Sequence, residues 1–419
     1  MSILNIQSTL LLLRLRPLRH LLLARSISTL GDMLTPIALA FAVLEFSNSV
    51  SALGIVLAAR ALPSLVLMLL GGVIGDRFPR RTVMIISNMA GFIIQGLIGY
   101  LLISESAAVW SIALLTACRG ATSSFFNPAS TGALAQIAPE GKKQESFSLF
   151  AIASNIAEIA GPALAGIVLI IISPGWVLIA DACTFLISAI LIATSGSLGE
   201  PNYSQKPSIF SEMREGLGYV LKKQWLLVLI LSASLFQFFL LSSLQVLGPV
   251  VAKTHLNGAS DWALITVALG IGGIIGSFLA MFYKPKKPLF IGYIFMLFGS
   301  GPTLFLLAVP APIELLVLSE FVSGLAISFF TTLESSIIAK YVPNHLLSRV
   351  DSINRLGSMS LKPLGMAIIG PVSVIIGIEK TLIFSGCISI LAVVWPLTVA
   401  SVRQLKSDSM AKQNVMKIV

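Results

Sequence analysis

Apolar runs long enough to cross a bilayer recur along nearly the whole chain, and this leaves it few ways to fold. A membrane-spanning helix needs roughly 20 mostly apolar residues. Such runs are read near 21–46, 50–76, 81–103, 108–138, 144–172, 176–196, 224–252, 260–282, 288–308, 312–341, 346–376 and 380–403. In hydrocarbon every backbone N–H and C=O must be paired internally, so these runs are predicted to be helices. A membrane β-barrel would instead show alternating segments of ~10 residues, which the sequence lacks. Composition agrees: 56% of the residues are hydrophobic and 11% charged, against roughly a quarter charged in a soluble domain. The predicted fold class is all-α and polytopic, with twelve transmembrane helices.

A formal net charge of +10 would suggest nucleic-acid binding in a soluble protein, but the placement of the charges argues against that. Basic residues crowd alternate loops: Arg77, Arg80 and Arg81, then Lys142 and Lys143, Lys222 and Lys223, Lys286 and Lys287, and Lys340. Both chain ends are basic too, whereas the opposite loops are short and have only Lys253 and Lys380 near them. The positive-inside rule therefore places the basic loops and both termini in the cytosol, and nucleic acid is not an expected partner. Arg14, Arg16 and Arg19 interrupt the first apolar stretch, so residues 1–20 read as a cytosolic lead-in and not as a cleavable signal. Cys118, Cys183 and Cys387 lie far apart in apolar runs, with neither disulfide nor metal-ligand spacing.

The halves of the chain repeat. Residues 124–166 align with 328–370 without a gap, SFFNPASTGALAQIAP meeting SFFTTLESSIIAKYVP, and Gly161, Ala163 and Gly166 meeting Gly365, Ala367 and Gly370. Residues 197–223 are polar and fall midway, and FSEMREGLGYVLKK has the pattern of a short amphipathic helix. The expected organisation is a six-helix bundle over 21–196, a cytosolic linker over 197–223, a second bundle over 224–403 and a cytosolic tail over 404–419. Repeats of this kind are how many secondary transporters form a site between their halves.

Two motifs make the reading specific. Between the second and third spans stands GGVIGDRFPRR, in which Gly72, Asp76, Arg77, Arg80 and Arg81 match the loop motif of the major facilitator superfamily; Pro79 replaces its usual glycine. In the fifth span AEIAGPALAG resembles the antiporter motif of the same superfamily at Gly161, Pro162 and Gly166, with alanine at 157 and 165 where glycine is usual. Proline there leaves a carbonyl unpaired and bends the helix. The chain is similar to that superfamily throughout, and through STLGDMLTPIALAFAVLEFSNSVSALGIVLAARALP and FFNPASTGALAQIAP to its macrolide-efflux and enterobactin-exporter branch of drug:proton antiporters. The resemblance implies two pseudo-symmetric six-helix bundles, a bacterial cytoplasmic (inner) membrane, a monomer, and a loop motif that latches onto the eleventh span, with Arg349 and Asp351 as partners.

A charge inside a bilayer costs several kcal/mol and needs a partner or a task. Asp32 lies 16 residues before the turn at Asn48 and Arg60 lies 12 after it, so at ~1.5 Å per residue their depths differ by only ~6 Å and they are predicted to pair or compete. Glu334 and Arg355 flank a later turn in the same way, and Arg119 falls near the middle of the fourth span. Glu158 and Lys362 occupy equivalent repeat positions with opposite charge. The superfamily's cavity is lined by the first, fourth, seventh and tenth spans, which favours Asp32, Arg119, Glu320 and Glu334. Asp32, Arg60, Arg119 and Glu158 are thus the proton-coupling candidates, and Glu320, Glu334, Arg355 and Lys362 the cavity candidates. Asp181, on the sixth span, is expected to be a peripheral structural group.

The leading function is export of an amphipathic small molecule, such as a drug, a siderophore or a secondary metabolite, in exchange for protons by alternating access. Proton-coupled import of a nutrient, or a non-transporting sensor or scaffold, are the alternatives. The sequence shows no nucleophile–base pattern, phosphate loop or metal-ligand cluster, so neither an enzyme nor a cofactor is expected, and a proton gradient is the expected source of energy.

Overall fold

A computed structural model describes residues 12–198, 209–283, 285–309, 311–343 and 345–405, with backbone alone for 69–77, 209–212 and 348. Every regular element among them is helical. The first half supplies α1 (Arg16–Ser47), α2 (Val50–Arg77), α3 (Arg80–Ile103), α4 (Val109–Ile137), α5 (Lys143–Ile171) and α6 (Pro174–Ala193). After the short α7 (Ile209–Lys222) come α8 (Gln224–Phe236), a π-helical turn (Gln237–Leu241), α9 (Ser242–His255), α10 (Ala259–Phe282), α11 (Pro288–Ser300) and α12 (Thr303–Ala308). The chain ends with α13 (Ile313–Tyr341), α14 (Leu347–Met359), α15 (Lys362–Ile376), α16 (Ile378–Thr398) and α17 (Ala400–Arg403). Eleven of the described helical stretches are long and apolar enough to cross a membrane. The twelfth expected span, α4, is 29 residues long and more polar, since it carries Arg119, Thr122, Ser123, Ser124 and Asn127.

The chain divides into two compact units, Met1–Gln205 with Ala252–Leu264, and Lys206–Val251 with Ile265–Val419. In the first unit α4 packs on α2 and α3, while α1 packs on α5 and α6. One contact sets the spacing of α2 and α4: a Cβ placed on Gly120 would stand 2.0 Å from the carbonyl oxygen of Arg60. Only a residue without a side chain lets two backbones meet so closely, which is how small residues bring membrane helices together. The second unit repeats the device, where a Cβ on Gly324 would stand 2.0 Å from the carbonyl oxygen of Leu269. Gly120 and Gly324 are separated by the 204 residues that also relate 124–166 to 328–370.

Several boundaries differ from those read in the sequence. The first helix starts at Arg16, with Pro17 in its first turn, so Arg16 and Arg19 belong to it and not to the lead-in. The ninth span is interrupted at Gly301–Pro302, where proline cannot continue the hydrogen-bond ladder. The eleventh is interrupted at Ser360–Leu361, which keep helical torsions, because Pro363 has no N–H to donate to the carbonyl four residues before it. The seventh carries the π-turn, and Ser242 there lies 3.0 Å from the carbonyl of Gln237 and 3.1 Å from that of Lys362. The hydroxyl thus serves a carbonyl at each of two helix irregularities.

Candidate functional site

The close contact at Gly120 places the side chains on either side of it together. Arg60 on α2 and Arg119 on α4 both turn to α1, where Arg60 Nη2 lies 2.7 Å and Arg119 Nη2 3.0 Å from Asp32 Oδ1. Neither ion pair uses Oδ2. The Asp32 and Arg60 side chains are 23% and 22% exposed and that of Arg119 7%, so the carboxylate can be reached from outside the protein matrix while one of its partners is enclosed. Arg119 is held from two further directions: its Nη1 donates to Thr122 at 3.1 Å, and its guanidinium carbon lies 4.1 Å from the centre of the Phe185 ring.

Helix α6 is a wall of this site. Asp181 is not peripheral but fully buried, and a Cβ on Gly31, the neighbour of Asp32, would stand 2.3 Å from Asp181 Oδ1. Thr35 donates to Asp181 Oδ2 at 2.6 Å and accepts from Gln95 Nε2 of α3 at 2.7 Å, and Thr184 donates to Asp181 Oδ1 at 3.2 Å. Asp181 and Phe185 are four residues apart, and so share one face of α6, which packs on α1 and α3 and from which Phe185 reaches Arg119 of α4. That spacing, with a glycine directly before Asp32, is the sequence signal that could have found them. Thr35→Val would leave the Asp181 carboxyl and the Gln95 amide short of a partner, which costs about 1–3 kcal/mol for a buried group. The midpoint of thermal unfolding in detergent is expected to fall by several degrees, read by tryptophan fluorescence on heating.

The remaining first-half candidates sit around this cluster. Gly161 of α5 packs against α1 one residue past Asp32, its Cβ position lying 2.3 Å from Met33 Cβ; Pro162 beside it is buried, and Gly166 faces Ala263. Glu158 is exposed on the same helix. Sequence reasoning passed over Arg25, which donates to Asn127 and lies 5.7 and 5.6 Å from the ring centres of Phe126 and Phe150. Of the latch motif, Arg80 donates to the carbonyl of Gly132 and Arg81 to that of Ala193, the last residue of α6. Cations at a helix C-terminus complement its unpaired carbonyls and dipole. The side chains of Gly72, Asp76 and Arg77 lie outside the described residues. Arg349 pairs with Glu215 of α7 and Asp351 with Arg355 at 2.9 Å, while the contact expected between Asp76 and these residues lies outside the described residues.

The second unit contains a cavity of about 430 Å³. Its walls come from α8 and the π-turn (Phe236, Gln237), α11 (Tyr293), α13 (Phe330, Glu334) and α14 (Asn354). Ile327, Phe330, Thr331 and Glu334 recur at helical spacing, so α13 presents one stripe to it. Asn354 Nδ2 donates to Glu334 Oε1 at 3.1 Å. Arg355 therefore shares the cavity with Glu334 but pairs with Asp351. Glu320 does not line it: 14 residues along α13 from Glu334 put it about 21 Å away, buried, with neither carboxyl oxygen hydrogen-bonded. Lys362 does not line it either, since the interruption at Ser360–Leu361 places it at the start of the next helix. Among the described residues no three His, Cys, Asp or Glu side chains stand close enough to hold a metal ion.

Comparison with known proteins agrees with this architecture. The sequence profile described as Major Facilitator Superfamily matches residues 21–305. The chain is 27% identical over 389 residues to the uncharacterized MFS-type transporter YfiS of Bacillus subtilis, covering 89% of this chain and 91% of that one. It is 22% identical over 384 residues to macrolide efflux protein A of Streptococcus pyogenes, covering 89% and 93%. Among solved structures, the nucleoside transporter NupG superimposes with a TM-score of 0.74 at 14% identity, covering 90% and 98%. Two halves of long apolar helices, charges gathered inside one of them and a profile matching most of the chain lead to one conclusion: this is a multi-pass membrane transporter that belongs to the Major Facilitator Superfamily.

Proposed function

We propose that the protein exports an amphipathic small molecule in exchange for protons, by alternating access. The observation that carries this reading is a single carboxylate oxygen, Asp32 Oδ1, held by arginines from two other helices. A proton arriving on the unused Oδ2 would cancel the charge that attracts both guanidinium groups at once. Helices α1, α2 and α4 would then lose their shared ion pairs, and two charges would be left in a medium where an unpaired charge costs several kcal/mol. Proton binding is in this way converted into a change in which helix arrangement is favoured. Asp181 stands beside this switch, its carboxyl held by Thr35 and Thr184.

The direction of transport is supported by relatives that include a macrolide efflux protein and by the Gly161–Pro162 bend seated against Met33, next to the switch. The same reading places the chain as a monomer in the bacterial cytoplasmic membrane, with the basic loops and both termini cytosolic and with the proton gradient as its source of energy. Everted membrane vesicles containing the protein should accumulate a lipophilic fluorescent dye when their lumen is acidified, and release it when the gradient is collapsed by an ionophore. Accumulation that ignores the ionophore would overturn proton coupling; dye movement only in the opposite sense would establish import.

A further inference from the structure

We infer that the cavity of the second unit binds an ammonium group carried on an apolar body, which makes amine-bearing amphipaths the substrate class. The inference rests on the exporter reading for what the site is for, and on the cavity's own chemistry for what it takes. Its volume of about 430 Å³ lies in the range of small-molecule pockets, ~300–1,000 Å³. Phe236, Phe330 and Met296 offer apolar and aromatic surface.

The polar groups are the selective part. Arg355 and Asp351 pair at 2.9 Å, so the formal charges of the lining sum to −1, with Glu334 as the additional carboxylate. Glu334 Oε1 receives only the amide of Asn354. That bond fixes the Asn354 side chain, because turning it over would bring its oxygen against a carboxylate. Its Oδ1 is therefore aimed away from Glu334, and it is buried with no hydrogen-bond partner, on a residue 8% exposed. The Oε1 of Gln237, the first residue of the π-turn, is likewise buried and unpartnered. Residues bearing three acceptor groups, on α13, α14 and the π-turn, thus line one space whose formal charges sum to −1. An ammonium has up to three N–H donors and the opposite charge, and the aromatic rings favour a cation over a neutral group. A carboxylate or phosphate ligand would meet Glu334 and two carbonyl oxygens and be repelled.

The test is equilibrium binding with no gradient present. The full chain, purified in a neutral detergent, is titrated calorimetrically with naphthylmethylammonium, with neutral naphthylmethanol and with naphthoate, and empty micelles are subtracted. The ammonium should bind at least ~10-fold tighter than the alcohol, as a charge-assisted hydrogen bond implies, and naphthoate should be weakest. Glu334→Gln should bring the ammonium to within ~3-fold of the alcohol. Asn354→Leu should weaken the ammonium alone by ~3–10-fold, and answers the question if the first variant does not fold. Equal binding of ammonium and alcohol, a preference that survives both substitutions, or naphthoate as the tightest ligand would each overturn the assignment. Because no gradient is involved, such a failure is distinct from failure of proton-driven export, which is read only as flux in vesicles.

Discussion

Asp32→Asn is expected to lower gradient-driven efflux in proteoliposomes by at least ~100-fold. The amide is nearly the same size and can still accept a hydrogen bond, but it can neither take up a proton nor carry the charge that holds Arg60 and Arg119. Removing one partner of a buried ion pair typically costs about 3–5 kcal/mol, because the other charge remains. Two helix arrangements separated by that much shift their populations by more than ~100-fold. The proton uptake that accompanies substrate export should vanish with it, measured by a pH-sensitive dye inside the vesicles. Asp32→Glu keeps a titratable carboxylate and should retain part of both signals. If Asp32→Asn transports normally with unchanged proton movement, Asp32 is not the coupling group.

Gly120→Ala should be strongly destabilising, while the same substitution at Gly218 should cost nothing. The new methyl at 120 would fall 2.0 Å from the carbonyl oxygen of Arg60, well inside contact distance, and the obstacle is backbone, not a side chain that can swing aside. Helices α2 and α4 would have to separate along their whole crossing. Overpacking costs about 1–3 kcal/mol even where side chains can adjust, and at this crossing they cannot. The guanidinium groups at 60 and 119 would also be drawn away from Asp32, so transport should fall with stability. Gly218 lies within α7 with no atom inside 4 Å of the added methyl, and alanine there should stabilise the helix by about 0.5–1 kcal/mol. Thermal unfolding of the two purified variants, followed side by side, isolates the effect of position. Equal midpoints would show that the contact at Gly120 is not tight.

Much of the fold was legible because hydropathy is a one-dimensional signal. Helix number, order and most ends follow from run length, and α7 from its amphipathic pattern. The three interrupted spans were not read as such, although Pro302 and Pro363 marked two of them; the π-turn leaves no comparable mark in QFFLL. In the site, matching depths along two joined helices was enough to suggest Asp32 with Arg60. The share taken by Arg119, and the burial of Asp181 against Gly31, depend on which helices touch, and a run of apolar residues does not record that. Glu334 and Arg355 were matched by depth, but Glu334 is hydrogen-bonded to Asn354, because Arg355 has a carboxylate one helical turn away on its own helix.

The matching glycines bear on how such a protein can change over time. Gly120 and Gly324 hold the same crossing in the two halves, and the residues they press against are Arg60 in one and Leu269 in the other. What is touched in both cases is a carbonyl oxygen, which every amino acid supplies. The frame is thus written in main-chain atoms and the ion chemistry in side-chain atoms, at the same positions. A duplicated ancestral half could lose or gain its charged groups by point substitution without disturbing the crossing that supports them. The second half accordingly keeps the crossing without the ions: Leu269 and Ser323 stand where the first half has Arg60 and Arg119.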